Sequence, residues 1–262
     1  MSVLPRVDAA TTAEWPDLVA ELDRWGKAGQ VASLWWRDDD AVAATPELIS
    51  LLRLAGDAPL ALAVIPAELD PDLSGLLQSM PRVAVLQHGW RHANQAMPGG
   101  KKSEYPATRN AAAVMAELIA GGDRLEACFG PQALPVLVPP WNRFAAEFAP
   151  LLTKAGIAGL SSMASRVAPP LPAGVTAINV HLDLTAWKAD RGFIGTAAAL
   201  AGLIGHLRAC RLRSADRAMA TGILTHHLVM DRATAGFLDR LVMAVDRHAA
   251  ARWAPAVELL AR

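Results

Sequence analysis

Short apolar segments alternate with amphipathic helical patterns along this chain, and that alternation limits its fold more than any other feature. Seven segments have the length and apolar character of strands: 31–37, 60–65, 83–86, 135–138, 157–163, 175–184 and 222–230. Segments with helical spacing of apolar residues separate most of them. Parallel strands need such crossover connections and bury both of their faces under helices. The pattern therefore predicts a mostly parallel sheet covered by helices, either doubly wound or closed into a barrel.

Polar residues follow the downstream ends of these strands. They are Asp38 to Asp40, His88, Pro139 to Asn142, His181 with Asp183, and His226. The carboxyl ends of barrel strands converge on one mouth, whereas an open sheet would spread these residues apart. We therefore favour an α/β barrel of about seven strands.

The chain shows no composition shift, flexible linker or internal repeat that would divide it. We expect one domain over residues 1–262. Residues 1–30 form a helical lead-in, 31–230 the motif-bearing barrel, and 231–262 a C-terminal helix and tail.

The composition restricts the partners and the compartment. Lysine plus arginine equals aspartate plus glutamate, 25 against 25, so no global field favours nucleic acid or an anionic membrane. No apolar run approaches the roughly 18 residues that span a bilayer, and no export signal precedes the first helix. We expect a cytoplasmic protein that binds a small-molecule or carbohydrate substrate, with its oligomeric state, including a homo-oligomer, left open.

Two histidines four residues apart, His88 and His92, follow the third strand. Gly89 between them argues against a regular helix and excludes the helical HExxH metalloprotease motif. Imidazole is the commonest metal ligand, and a catalytic zinc-type site takes three protein ligands. A third ligand must come from elsewhere, and the Asp38 to Asp40 triplet at the end of the first strand is a candidate. The alternative is that these residues only cap strand ends.

Five motifs in this order resemble the polysaccharide deacetylases with a NodB-type homology domain. They are Asp-Asp after the first strand, H-x-x-x-H after the third, a Pro-Pro-aromatic turn, an Asp followed by a Trp, and a late L-x-H strand. The resemblance covers residues 31–230. It implies a distorted (β/α)7 barrel with one divalent metal ion, usually zinc and sometimes cobalt, nickel or manganese. It also implies hydrolysis of N-acetyl or O-acetyl groups on sugars, or of other amides.

Carried onto this chain, the resemblance makes Asp40, His88 and His92 the metal ligands and Asp39 the general base. Because three aspartates stand where the family shows two, Asp38 as base with Asp39 as ligand is the alternative register. His226 matches the histidine that protonates the leaving group. The backbone N–H of Trp141 matches the donor that holds the oxyanion.

The remaining candidates surround these motifs. Six residues are predicted to contact substrate: Trp36, Trp90, Pro140, Asn142, Asp183 and Trp187. In the 96–109 loop, Glu104 either touches substrate or is solvated. Val138 stands where the family often has an arginine that orients the base, so Arg37, Arg143 or another group must replace it. His226 and His227 cannot both enter the mouth, because adjacent side chains of an extended strand point to opposite faces.

Together these features predict a metal-dependent hydrolase that removes an acetyl or similar acyl group from an amino sugar or small amide by metal-activated water. One alternative is a non-catalytic binding protein on a degenerate barrel, for which the missing arginine is the best support. Another is a metal-independent glycosidase that uses two carboxylates, for example one of the triplet with Asp183.

Overall fold

The computed structural model describes residues 12–164, 170–212 and 219–261. The helices are α1 (Trp15–Lys27), α2 (Pro46–Ala55), α3 (Asp72–Leu77), α4 (Ala111–Phe129), α5 (Ala149–Lys154), α6 (Thr196–Leu212), α7 (Arg232–Arg247) and α8 (Ala256–Leu260). The strands are β1 (Ala32–Ala41), β2 (Leu60–Val64), β3 (Val83–His88), β4 (Ala133–Val138), β5 (Gly159–Leu160), β6 (Thr176–Ala177), β7 (Leu182–Asp183), β8 (Thr221–Thr225) and β9 (Ala251–Trp253). The first part of the predicted lead-in, residues 1–11, lies outside the described residues.

The strands form a single sheet in the order β6-β5-β4-β3-β2-β1-β8-β7, with β9 added beside the start of β1. Each of these strands runs parallel to its neighbours. The predicted strand over 175–184 is two short pieces, because its first half pairs with β5 and its second half with β8. That one segment therefore lies along both edges of the sheet and curls it. The predicted single-domain, distorted (β/α)7 barrel is confirmed.

Side-chain alternation along the strands produces two apolar layers. Leu34 and Trp36 of β1 belong to an outer cluster that contains the apolar faces of α1, α2, α6 and α7. Trp35 faces the other way, into a cluster composed mainly of strand residues together with α8. The inner layer fills the barrel, and the outer layer attaches the helices to it.

β8 is shorter than the sequence suggests. It ends at Thr225, and His227–Val229 form a 3-10 turn instead of continuing the predicted 222–230 strand. The pairing of β1 with β8 ends at Asp38 opposite Thr225. β1 becomes irregular directly after Asp38, so β8 loses its regular partner there.

Among the described residues, no helix is both long enough and apolar enough to cross a bilayer.

Close packing inside the barrel yields a prediction at Gly222 of β8. A Cβ there would lie 2.4 Å from Trp35 Nε1 and 2.7 Å from the Asn179 carbonyl oxygen, the latter being backbone that cannot easily move. We expect Gly222→Ala to lower the free energy of unfolding by about 1–3 kcal/mol. The measurement is urea unfolding followed by circular dichroism.

Gly205 of α6 is the matched control, because it is exposed and a Cβ built there meets no atom within 4 Å. Gly205→Ala should leave stability unchanged or raise it by up to about 1 kcal/mol. Equal stability of the two variants would contradict the packing described here.

Candidate functional site

Asp40, His88 and His92 converge at the mouth of the barrel. Oδ1 of Asp40 lies 3.1 Å from Nε2 of His88 and 3.4 Å from Nε2 of His92. One ligand atom from each of the three residues lies within 4.8 Å of the others. Two imidazoles and one carboxylate are a donor set that suits zinc and similar divalent cations. These residues fit the metal that the sequence predicts.

The tautomer of His88 is set by the neighbouring strand. Its Nδ1 lies 2.9 Å from the carbonyl oxygen of Val138. Because a carbonyl can only accept, Nδ1 donates to it. Nε2 therefore faces Asp40, donating to Oδ1 at 3.1 Å, and it would offer its lone pair to a metal ion bound there. Val138, which stands where the resemblance implies an arginine, thus orients His88 through its backbone carbonyl.

A bulge at the end of β1 brings two adjacent aspartates to one site. In a regular strand Asp39 and Asp40 would point to opposite faces. Asp38 lies opposite Leu62 and Ala41 opposite Val64, so three steps along β1 match two along β2. Asp40 lies within this bulge and has a positive φ of 73°. The bulge therefore redirects Asp40 toward the histidines while Asp39 keeps its inward direction.

Arg37 holds Asp39 with two parallel hydrogen bonds. Its Nε donates to Oδ1 at 2.8 Å and its Nη2 to Oδ2 at 3.0 Å, and both side chains are buried. The guanidinium also donates to Ser161 Oγ at 2.7 Å and to Asn142 Oδ1 at 3.0 Å. Such a fork fixes the carboxylate in direction as well as in charge. Of the replacements that the sequence left open, Arg37 is the one that binds Asp39, whereas Arg143 donates to the carbonyl of Lys102.

Strained backbone is concentrated around this site. Five described non-glycine residues have a positive φ: Asp40, His92, Trp141, Asn142 and Arg191. Such conformations cost about 1–3 kcal/mol each and persist only where the surroundings determine them. The first four belong to the two ligand segments and to the Pro-Pro-aromatic turn, so the fold maintains this strain at the mouth.

Glu104 organises the loop that carries His92, a role that the sequence did not indicate. Its buried carboxylate accepts from the backbone N–H of Arg91 at 2.8 Å and of Trp90 at 3.1 Å. Burial raises the pKa of Glu104, although these backbone donors oppose the shift. Gly89 leaves room for this contact, because its φ is 62° and a Cβ there would lie 1.9 Å from Glu104 Oε2.

The charges of the ligand cluster are complementary. Burial opposes the charged form of His88, but the charge of Asp39 and the hydrogen bond to Asp40 raise its pKa overall. Burial likewise opposes ionisation of Asp40, yet the hydrogen bond with His88 and the charges of His88 and His226 lower its pKa. Burial and the charge of His88 lower the pKa of His92. His226 therefore lies close enough to Asp40 to act on it electrostatically.

Aromatic residues border the same cluster. The Trp141 ring lies 4.4 Å from the His92 ring, centroid to centroid. The Trp187 ring meets His226 edge-on at 4.6 Å, and its Nε1 donates to Asp183 Oδ2 at 2.7 Å. Trp187 is 45% exposed, so much of its face is open to solvent.

The prediction that Trp36 binds substrate is wrong. Its indole is 1% exposed, lies in the outer apolar cluster and donates from Nε1 to Thr225 Oγ1 at 2.8 Å. Asp38 faces the same way, because it lies two residues further along β1. The structure thus brings Asp40 to the two histidines and leaves Asp39 with Arg37. This arrangement differs from the alternative register, in which Asp38 is the base and Asp39 the ligand.

The other predicted contacts have varied surroundings. Trp90 is half-buried and lies between His88 and His92 in the chain, on the loop held by Glu104. Pro140 is buried, and its ring lies close to Gly89. Asn142 uses its side-chain oxygen to accept from Arg37.

No protein-family model matches this sequence, and no curated protein sequence matches it. Solved structures do match. A Mycobacterium smegmatis protein described as a polysaccharide deacetylase has a TM-score of 0.63 at 17% identity, covering 98% of this chain and 94% of its own. A family 4 acetyl xylan esterase from Clostridium thermocellum, in complex with a cobalt ion, has a TM-score of 0.54 at 13% identity, covering 87% of this chain and 90% of its own.

A third match is a mutant of a pseudoenzyme of the same carbohydrate esterase family, with restored activity. Its TM-score is 0.57 at 14% identity, and the alignment covers 88% of this chain and 68% of that one. Identities this low establish the fold and not the activity. The fold of this chain is that of the carbohydrate esterase family 4 polysaccharide deacetylases, the NodB-type family that its motifs resemble.

Proposed function

We propose that this protein is a metal-dependent hydrolase that removes an acetyl or similar acyl group from an amino sugar or another small amide. One observation carries the proposal. Two imidazoles and a carboxylate converge beside a second carboxylate that a buried arginine holds in place. Amide hydrolysis by activated water needs these two elements side by side, a cation site and a general base.

Asp40, His88 and His92 are the residues that would hold the metal ion. Mixed nitrogen and oxygen donors with three protein ligands favour zinc, while cobalt, nickel and manganese are compatible with the same set. When bound, such an ion supplies Lewis acidity, which polarises the substrate carbonyl and makes a nearby water more acidic.

The side chains around these ligands perform the proton transfers. Asp39 takes a proton from the attacking water, and Arg37 aims its carboxylate through the bidentate contact. The backbone N–H of Trp141 donates to the oxyanion, and the left-handed conformation of Trp141, with φ 56° and ψ 18°, sets the direction of that turn. His226 protonates the departing nitrogen, because an amide anion is too poor a leaving group.

The aromatic border favours a sugar or an amide with an apolar acyl group. Trp90, Trp141 and Trp187 are all partly exposed around the ligands, and indole faces stack on sugar rings or line apolar pockets. Asp183 adds a carboxylate beside Trp187 that can accept from a sugar hydroxyl. We also propose a cytoplasmic location with no nucleic-acid or membrane partner, in line with the balanced charge.

The non-catalytic alternative has one point in its favour, since a pseudoenzyme shares the fold. Its support in this chain was the missing arginine at Val138. Arg37 binds Asp39 from β1 instead, so that support is removed. The glycosidase alternative leaves the convergence of His88 and His92 without a role.

The proposal is tested by His88→Ala and His92→Ala. We expect each variant to lose both bound metal and turnover, because each removes one of three protein ligands. Elemental analysis of the purified protein, with hydrolysis of a panel of acetylated amino sugars and small amides, provides the measurements. His248→Ala is the control, since His248 pairs with exposed Asp23 near the start of β1. Full metal stoichiometry in both ligand variants would remove the basis of the proposal.

Arg37→Lys tests the positioning of the base. Lysine keeps the positive charge but cannot form the fork to both oxygens of Asp39. We expect kcat to fall by about tenfold to a hundredfold, part of what a positioned base contributes, with metal content unchanged.

Arg211→Lys is the matched control. Arg211 forms a similar fork to buried Glu21, at 2.6 Å and 3.2 Å, between α6 and α1. Its replacement should leave kcat unchanged. Equal kcat in the Arg37 variant and the wild type would show that Asp39 needs no such support.

A further inference from the structure

Asp38 and His227 form a buried pair that the proposed mechanism does not use. Their side chains are 0% and 1% exposed, and Oδ1 of Asp38 lies 2.5 Å from Nδ1 of His227. The second oxygen of Asp38 accepts from Thr225 Oγ1 at 2.6 Å. That hydroxyl in turn accepts from Trp36 Nε1 at 2.8 Å. Burial opposes the charged form of His227, but the hydrogen bond with Asp38 and the charge of Asp38 raise its pKa.

These contacts fix the position of the chain on both sides of His226. Thr225 and His227 are its two neighbours, and both bind the same carboxylate. Asp38 itself immediately precedes Asp39 on β1, and it lies opposite Thr225 in the parallel pairing. One carboxylate therefore joins the segment that carries the proposed acid to the segment that carries the proposed base.

The side chain of His226 has little support of its own. Its Nδ1 is buried and has no hydrogen-bond partner among the described residues. Its ring meets Trp187 only edge-on. Asp183, which binds the same Trp187, accepts from Thr185 N at 2.9 Å and from Trp187 Nε1 at 2.7 Å. The backbone on either side must therefore set the place of His226.

We propose that Asp38 and His227 are positioning residues that hold His226 against the Asp39–Asp40 segment. The assignment rests on the proposed function, because it takes His226 as the donor of a proton to the leaving group. It also accounts for two additions to the family pattern together. The third aspartate of the triplet and the second histidine after β8 bind each other, and neither enters the mouth.

The test compares two substrates with the same acyl group and different leaving groups. p-Nitrophenyl acetate releases a stable phenolate without needing a proton, whereas acetanilide releases an amine that must be protonated. For Asp38→Asn and His227→Gln we expect kcat on acetanilide to fall by about tenfold to a hundredfold, while kcat on p-nitrophenyl acetate stays within about twofold. KM and metal content should not change.

Asp23→Asn and His248→Gln are the matched controls, because they disrupt an exposed Asp–His pair of 3.2 Å. Neither should alter the ratio of the two activities. Equal losses on both substrates in the Asp38 and His227 variants, or no loss at all, would overturn the proposal. If Asp38→Asn does not fold, His227→Gln makes the same comparison.

Failure of the proposed function is separable from failure of this inference. If the wild type cleaves neither substrate, amide hydrogen exchange over residues 225–230 decides instead. Loss of the Asp38–His227 pair should speed exchange there by about tenfold, because the pair opposes local opening. The amides of α4 should exchange as in the wild type. Unchanged exchange over 225–230 in both variants would contradict the positioning role.

Discussion

The site depends on how the fold separates three consecutive carboxylates at the end of β1. Asp38, Asp39 and Asp40 would repel one another if they shared one face. Strand alternation directs Asp38 outward and Asp39 inward, and the bulge with the positive φ of Asp40 turns the third carboxylate toward the mouth. Each carboxylate thereby reaches a cationic or potentially cationic partner of its own.

The surrounding segments are arranged to keep that separation. Arg37 is buried in the inner layer and also binds Ser161 and Asn142, so Asp39 is linked through it to two further segments of the barrel wall. Glu104 and Gly89 fix the loop of His92. The concentration of left-handed residues at the mouth shows that tertiary contacts, not local preference, determine its backbone.

The sequence predicts the features that local patterns carry. Apolar runs located β1 to β4, and the spacing of His88 and His92 after a strand singled out the two histidines that the structure brings together with Asp40. Contacts between distant residues could not be predicted from the sequence. Arg37 and Ser161 are 124 positions apart, and no local pattern reveals that they meet. Trp36 was misplaced because alternation shows which residues share a face, but not which face is inside.

The role of Glu104 in holding the loop was missed for a related reason. A carboxylate that accepts backbone N–H groups leaves no periodic signal, and its loop resembles a solvated one in composition. The segment 175–184 was predicted as one strand because its apolar pattern is continuous. In the structure its first half pairs with β5 and its second half with β8. Sequence patterns thus identified most of the strands and helices. The roles of residues such as Arg37 and Glu104 depend on contacts between distant parts of the chain, which no local pattern reveals.

X-ray absorption at the zinc edge, on protein loaded with one equivalent of zinc, reports which of the three aspartates binds the ion. We expect two imidazole nitrogens and one carboxylate oxygen at about 2.0–2.2 Å. This signature should be lost in Asp40→Ala and retained in Asp38→Asn. Zinc that keeps the same ligands in Asp40→Ala, or loses its carboxylate in Asp38→Asn, would contradict the division of the three aspartates described here.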